Sequence, residues 1–329
     1  MRKAGVEVAE RHKPVWEGRE HKFAAGPGAV LRLARAELAL LRRAPSDFDV
    51  LVVGYPGHLD LAAAKRAARG KPLIFNPLVS LADTLVDDRG QFARGSLPAR
   101  VLRAVDRAAF RAADLVVADT QAHAAFFREL GARRVEVCLV GAEERVFTPG
   151  WRQPAEFSCL FVGKLIPLHG LETILEAARR APELQFRVVG SGQLEDLLRD
   201  RPPNVERCAW VDYELLPEEL HRTGCALGIF GTSPKAQRVI PNKVFQALAC
   251  GAPVVTADTP AARELLADGE SALLVPPADP DALVHALRRL ATDPELGRRI
   301  ASGGLTAYSE HASEAILGAR WRALIEELL

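Results

Sequence analysis

The stretch Gly231–Leu266, GTSPKAQRVIPNKVFQALACGAPVVTADTPAARELL, narrows the fold more than any other part of the chain. Pro241 fixes φ where a helix has no internal use for an N–H, so a helix is predicted from Asn242. Gly251 supplies the left-handed residue that ends it after Cys250. The next residues, APVVTA, make the continuous apolar run that a parallel sheet buries on both faces. A second helix is expected after Thr259-Pro260. Helix, tight turn and buried strand in succession are the repeat of an open α/β sheet. The unpaired N–H groups at the start of the first helix, its dipole and the nearby cations Lys235 and Arg238 form a ready site for an anion such as a diphosphate.

The same alternation runs along the chain. Buried strands are predicted at Asp49–Val53, Pro72–Phe75, Asp114–Asp119, Cys159–Val162, from Phe186, from Val205 to Val211 and at Cys225–Phe230, with helices between them. Thr120 is a fitting N-cap for the helix QAHAAFFREL. The closing segments, DPDALVHALRRLATDPELGRRI and Ser313–Leu329, are helical, the last helix crossing back toward the first half. Pro149, Gly150 and Pro154 punctuate a linker, which divides the 329 residues into 1–150 and 151–329, each of ordinary domain size.

Open α/β sheets bind ligands at the carboxyl ends of their strands. In the first half that rule selects Gly57, His58, Asn76, Ser80 and Asp83 as acceptor-side candidates. His58 is able to titrate near neutrality, although a lone loop histidine also reads as structural or merely exposed. Asn76 can orient a hydroxyl but cannot act as a base. Asp83, Asp87, Asp88 and Arg89 read either as part of an acceptor pocket or as a solvated turn. In the second half, FRVVGSG ends in glycines whose backbone can approach a ligand closely. It fails as a dinucleotide fingerprint, because Gly190-Ser191-Gly192 is followed by Gln193, Leu194 and Glu195.

Several of these motifs resemble the retaining glycosyltransferases of family 4, which have the GT-B fold: two Rossmann-like α/β/α domains with parallel sheets facing a central cleft. Gln246-Ala247-Leu248-Ala249-Cys250-Gly251-Ala252-Pro253-Val254-Val255 is similar to the donor signature of that family, and Pro241-Asn242-Lys243 to the P-x-K that precedes it in some members. Where the family has two glutamates eight positions apart, this chain has Arg238 and Gln246. Gly163-Lys164 and His169 stand where the family has G-R and a lysine. Val140-Gly141-Ala142-Glu143 and Phe147-Thr148-Pro149 match its interdomain passage. The resemblance implies transfer of a sugar, with retention and without a metal or other cofactor, from a nucleotide-diphosphate sugar to a carbohydrate or lipid-linked acceptor. It places Gly163, Lys164, His169, Gly192, Lys235, Arg238, Ile240, Asn242 and Lys243 around the diphosphate and sugar. Gln246 and Glu264 then serve the ribose, Trp210–Tyr213 the base, and Asn76, His58 and Arg238 the reacting centre. Lys164 also reads as an ordinary turn residue, and Glu264 as a favourable charge at a helix start.

Composition excludes other classes. Lys+Arg 43 against Asp+Glu 42 leaves a net charge of +1, so nothing draws the whole chain to nucleic acid. Five cysteines, in no CxxC pattern, read as buried free thiols of a reducing compartment. No signal peptide and no long apolar run is present, so a cytoplasmic location is expected. From Pro27 to Arg43 a helix is predicted with Leu31, Ala34, Leu38 and Leu41 on one stripe and arginines outside it. It reads either as core-packed with a solvated basic face, or as a peripheral contact on the inner face of an anionic membrane. The start, MRKAGVEVAERH, looks like a helix tail capped at Gly5 and a strand Val6–Ala9, as though the first βα unit of the family were missing. That leaves a non-catalytic nucleotide-sugar-binding or partner subunit as the rival reading. The oligomeric state is left open.

Overall fold

The computed structural model describes residues 1–12, 35–36 and 47–329; apart from residues 35 and 36, the basic amphipathic helix predicted for 27–43 lies outside them. Two wholly parallel sheets organise these residues. The first takes β1 (Leu51–Val53), β2 (Leu73–Phe75), β3 (Leu115–Ala118) and β4 (Val135–Val137) in that order. The second contains β5 (Ser158–Val162), β6 (Gln185–Val189), β7 (Val205–Cys208), β8 (Cys225–Leu227), β9 (Val254–Ala257) and β10 (Leu273–Val275), in the order β10-β9-β8-β5-β6-β7. Chain order therefore reverses between β5 and β8, the switch point at which a doubly wound sheet opens a crevice.

The helices are those the spacing demands. In the first half they are α1 (Leu61–Ala68), α2 (Leu97–Ala112) and α3 (Gln121–Glu129); in the second, α4 (Leu171–Arg180), α5 (Leu216–Arg222), α6 (Asn242–Cys250), α7 (Pro280–Thr292), α8 (Pro294–His311) and α9 (Glu314–Glu326). Thr120 caps α3 by accepting from His123 N at 3.0 Å. The second sheet is sealed on one face by α4 and α7, through Leu171, Ile174, Leu283 and Leu287 against Phe161 and Phe186. On the other face α6 and α8 bring Phe245, Leu248 and Tyr308 onto Leu160 and Val254. Helix α9 belongs to the first sheet: Trp321 and Leu324 pack on Ile74, Leu115 and Val117. Each such apolar side chain taken from water contributes about 1.5–3 kcal/mol, so the chain end holds the two sheets in one body.

Two local expectations are corrected. Gly5 adopts the left-handed conformation (φ 82°, ψ 13°) after a short turn Arg2–Ala4, but Val6–Ala9 pairs with no strand among the described residues. The turn instead lies on α9, where a Cβ at Gly318 would be 3.2 Å from Ala4. The helix expected after Thr259-Pro260 is a single turn, Ala262–Glu264. Strand β10 has no counterpart in the sequence reading.

Candidate functional site

Beside the switch point, the ends of β5 and β6 approach closely. Gly163 has φ 148°, and a Cβ at Gly190, the end of β6, would lie 1.9 Å from the Gly163 carbonyl oxygen. Only glycines fit there. Pro241 enters α6 with no side chain bonding the helix's first N–H groups. One turn in, Lys243 runs its stem toward Gly163: its Nζ is sealed from water, has no hydrogen-bond partner, and sits 3.7 Å above the Phe161 ring. A Cβ on Gly163 would be 2.9 Å from that Nζ. Burial pushes the Lys243 amine well below its ordinary range. The stem is less enclosed than the tip, so the residue as a whole is only half-buried.

Beside Lys243 lies His169, in the turn before α4. Its Nδ1–H donates to the Lys164 carbonyl oxygen, which leaves Nε2 with a lone pair in the neutral ring. Burial first and the neighbouring Lys243 second hold its pKa well below the usual imidazole value. His169 is therefore an uncharged group in the free protein, not the standing cation that the motif position suggests. Lys164 itself is exposed at the turn.

Lys235 and Arg238 are corrected most. Both answer groups of the Asp83–Asp88 segment that follows β2. Lys235 Nζ donates to Thr84 Oγ1 at 2.9 Å, and Arg238 Nη2 donates to Asp83 Oδ1 at 2.6 Å. The Arg238 guanidinium lies 3.9 Å from the Phe126 ring centroid, and its carbonyl accepts from Thr120 Oγ1 at 2.5 Å. Asp83–Asp88 is a buried π-helical turn, which excludes the solvated-turn reading for Asp83 and Asp88. The Glu264 carboxylate accepts from the N–H groups of Gln121 and Ala122 (2.6 and 2.9 Å), closing the first turn of α3. Gln246 lines a small pocket with Lys243, Leu216 and Leu220. Ile240 is a core residue, 4% exposed, and Asn242 is exposed at the start of α6. Gly192 meets its own fold, since a Cβ there would be 2.8 Å from the Leu165 carbonyl oxygen.

On the first sheet, Asn76 ends β2 half-buried, its N–H donating to Val53 O at 2.9 Å. Gly57 is tightly enclosed, with Gly54 O 2.3 Å from where a Cβ would stand. His58 is not presented to a substrate. It is 5% exposed, bonded through Nδ1 to the Pro56 carbonyl and edge-on to Phe75 and Phe110. Burial lowers its pKa against the opposing pull of Asp106, 3.3 Å away. Ser80 is likewise committed, donating to Asp106 at 2.6 Å and accepting from Asp83 N at 3.0 Å.

Sequence reasoning missed Asp106. This fully buried carboxylate also accepts from the N–H groups of Leu81 and Ala82 (2.9 and 3.0 Å), and so fixes the entry to the Asp83 turn. A carboxylate on the stripe Ala99, Asp106, Ala109, Phe110 of α2 was the available signal. The Asp119–His123 bond at 2.6 Å, one helical turn across the cap of α3, was missed too.

Comparison with known proteins fits this architecture. Residues 156–293 match the family described as glycosyl transferases group 1, and residues 1–143 the glycosyl transferase 4-like domain. A D-inositol 3-phosphate glycosyltransferase of Kribbella flavida is 30% identical over 322 residues, covering 87% of this chain and 72% of the relative. The chain belongs to the group 1 glycosyltransferases. The glycosyltransferase of the same description from Geodermatophilus obscurus is 31% identical over 295 residues, covering 77% of this chain and 62% of its own. The alpha-D-kanosaminyltransferase of Streptomyces kanamyceticus is 26% identical over 182 residues, covering 51% and 45%. The chain thus spans about half to three-fifths of the length of several curated relatives. Among solved structures, sucrose-phosphate synthase from Thermosynechococcus elongatus superposes with TM-score 0.74 at 18% identity, over 93% of this chain and 82% of that chain. Anabaena Alr3699/HepE in complex with UDP-glucose gives 0.70 at 17%, over 92% and 84%. At such identities the likeness establishes the fold, GT-B.

Proposed function

We propose that this chain transfers a sugar from a nucleotide-diphosphate sugar to an acceptor hydroxyl, with retention and without a metal ion. The observation that carries the reading is the Lys243 ammonium position: sealed, unpartnered, in the first turn of α6 and at the switch point of the sheet. A buried amine with no partner is costly unless an anion completes it. The surrounding donors, namely the first N–H groups of α6, His169 and the Lys164 turn, suit a diphosphate. The backbone N–H groups among them sit where charge develops as the glycosidic bond breaks. Attack from the face the diphosphate leaves, with a phosphate oxygen taking the acceptor proton, needs no protein base. That agrees with the enclosed His58 and with Asn76 at the end of β2. A carbohydrate or lipid-linked acceptor would then enter beside Asn76 and Gly57. Among the described residues no helix is long and apolar enough to cross a membrane, so an approach to a lipid-linked acceptor would be peripheral.

Isothermal titration with uridine, guanosine and adenosine diphosphates tests this. One of them is expected to bind the native chain and to lose affinity in Lys243→Ala, and its hexose ester should be slowly hydrolysed. Absence of binding by all three would overturn the reading.

A further inference from the structure

Among the buried side-chain atoms without a hydrogen-bond partner, four belong to residues of the two facing loops: Asp83 Oδ2, Asp88 Oδ2, Arg89 Nε and Arg238 Nε. Asp83 and Asp88 are only 4% and 6% exposed. Their charges are nonetheless answered. Asp83 holds Arg238 at 2.6 Å, and Asp88 lies in the fields of Lys235 and Arg89, its second oxygen meeting Ser233 Oγ at 3.4 Å. What remains unmet is hydrogen-bonding capacity of both kinds, two carboxylate lone-pair sites and two guanidinium N–H groups. An anion would be repelled by the carboxylates and a cation by Arg89, Lys235 and Arg238. A neutral polyhydroxyl ligand donates O–H to the first kind and accepts from the second. Leaving such buried groups unmet is costly, and this points to a ligand that meets them.

The position identifies the hydroxyls. The turn that carries His169 packs on the loop of Lys235 and Arg238: Leu168 shares an apolar cluster with Ala236 and Val239, and a Cβ at Gly231 would be 2.5 Å from the Leu168 carbonyl oxygen. The four atoms therefore adjoin the diphosphate site, on the side facing the first sheet. We propose that Asp83 and Asp88, with Arg89 and Arg238, recognise the hydroxyls of the sugar carried by the nucleotide donor. The inference rests on the donor reading above and deepens it. It moves Asp83 from the acceptor to the transferred sugar.

The test is the ratio of affinities for a nucleoside diphosphate and for its hexose ester, measured by isothermal titration with the uridine, guanosine and adenosine pairs. Asp83→Asn and Asp88→Asn are near-isosteric, and thermal melts check that each variant folds. Each is expected to cut the advantage of the sugar ester about ten-fold while leaving the bare diphosphate unchanged. On the native chain, donors lacking one hydroxyl at a time report the same contact without any substitution. Removal of a hydroxyl that faces a carboxylate should cost about ten-fold, and spectator hydroxyls nothing. A flat deoxy series, or an unchanged ratio in both variants, overturns the assignment and gives these oxygens to water. An effect on acceptor KM alone overturns it in favour of the acceptor. If no diphosphate binds the native chain, the parent reading falls first, and that result is distinct from the other two.

Discussion

Lys243 and His169 make diphosphate binding a proton-consuming event. Both are bases whose pKa is depressed in the empty site, chiefly by burial. An anion placed between them favours their charged forms and raises both. The bound state therefore holds more protons than the free state, and affinity must fall as pH rises. The sign is fixed by linkage. For each such group log Kd rises by about one per pH unit between its free and bound pKa, about 1.4 kcal/mol per unit. The lysine window lies below 10.5 and the histidine window reaches down from the region of 6.5. At pH 8 a nucleoside diphosphate is already fully ionised, the phosphate pKa being about 6, so the ligand contributes nothing. There the expected uptake comes from Lys243, and His169 adds to it as the pH approaches the histidine range. Titrations in buffers of different ionisation enthalpy read the proton count directly.

Lys243→Met supplies the control. It removes the buried amine while filling similar space, so uptake at pH 8 should vanish along with most of the affinity. The unpartnered group also burdens the empty fold, and its removal should raise stability by about 1 kcal/mol, a melting shift of about 2 °C for a chain of this size. Weaker binding combined with a higher melting temperature is a pairing that mere damage cannot produce. A pH-independent Kd with no proton uptake at pH 8 would refute the argument.

Other outcomes follow from the same geometry. Glu264→Ala leaves the N–H groups of Gln121 and Ala122 uncapped and should cost about 1 kcal/mol in urea unfolding; nucleoside diphosphate affinity should not change, and a large loss of it would restore Glu264 to the ribose. Asp106→Asn places an amide N–H against donors that now meet a carboxylate. It should destabilise by about 2–3 kcal/mol, and an unchanged unfolding midpoint would show that Asp106 does not hold the Asp83 turn. His58 and His169 are both held below their ordinary pKa in the fold. The unfolded chain then gains protons near 6.5 that the folded chain refuses, so stability is expected to fall as pH drops from 7 to 5. A melting temperature constant over that range would contradict the buried, neutral assignment.

What the sequence made legible is what depends on neighbours along the chain. Helix α6 runs from Asn242 to Cys250 as anticipated, because Pro241 and Gly251 each impose one boundary by backbone geometry. Four-residue apolar runs such as Leu115–Ala118 could hardly be anything but buried strands. The helix expected after Pro260 failed for a local reason of another kind. Ser271 Oγ accepts from Ala267 N, and Asp268 Oδ1 accepts from Leu274 N, so side chains draw the backbone out of helix and into β10. The two long-range contacts that define the cleft were invisible. Arg238 and Asp83 are 155 residues apart, and Glu264 and Gln121 are 143 apart, with no period or spacing to announce either.

That distance also explains why the donor motif looked anomalous when read alone. A cation at position 238 seems to belong on the diphosphate until its partner is known, and the partner is a carboxylate from the other sheet. Around the cleft Asp83 and Asp88 are set against Arg89, Lys235 and Arg238, so the standing charge is near balance with one cation in excess. Such a site would bind a diphosphate weakly if its charges were fixed. Lys243 and His169 change this, because burial disfavours their charged forms in the empty site and an anion favours them. Charge is then delivered where and when the leaving diphosphate needs it, and no unpaired ion is stored in the free fold. A fixed cation at position 243 would pay the cost of burial continuously. The titrating amine defers that cost until the ligand is present to offset it, and so the proton count at pH 8 decides the matter more sharply than any single affinity.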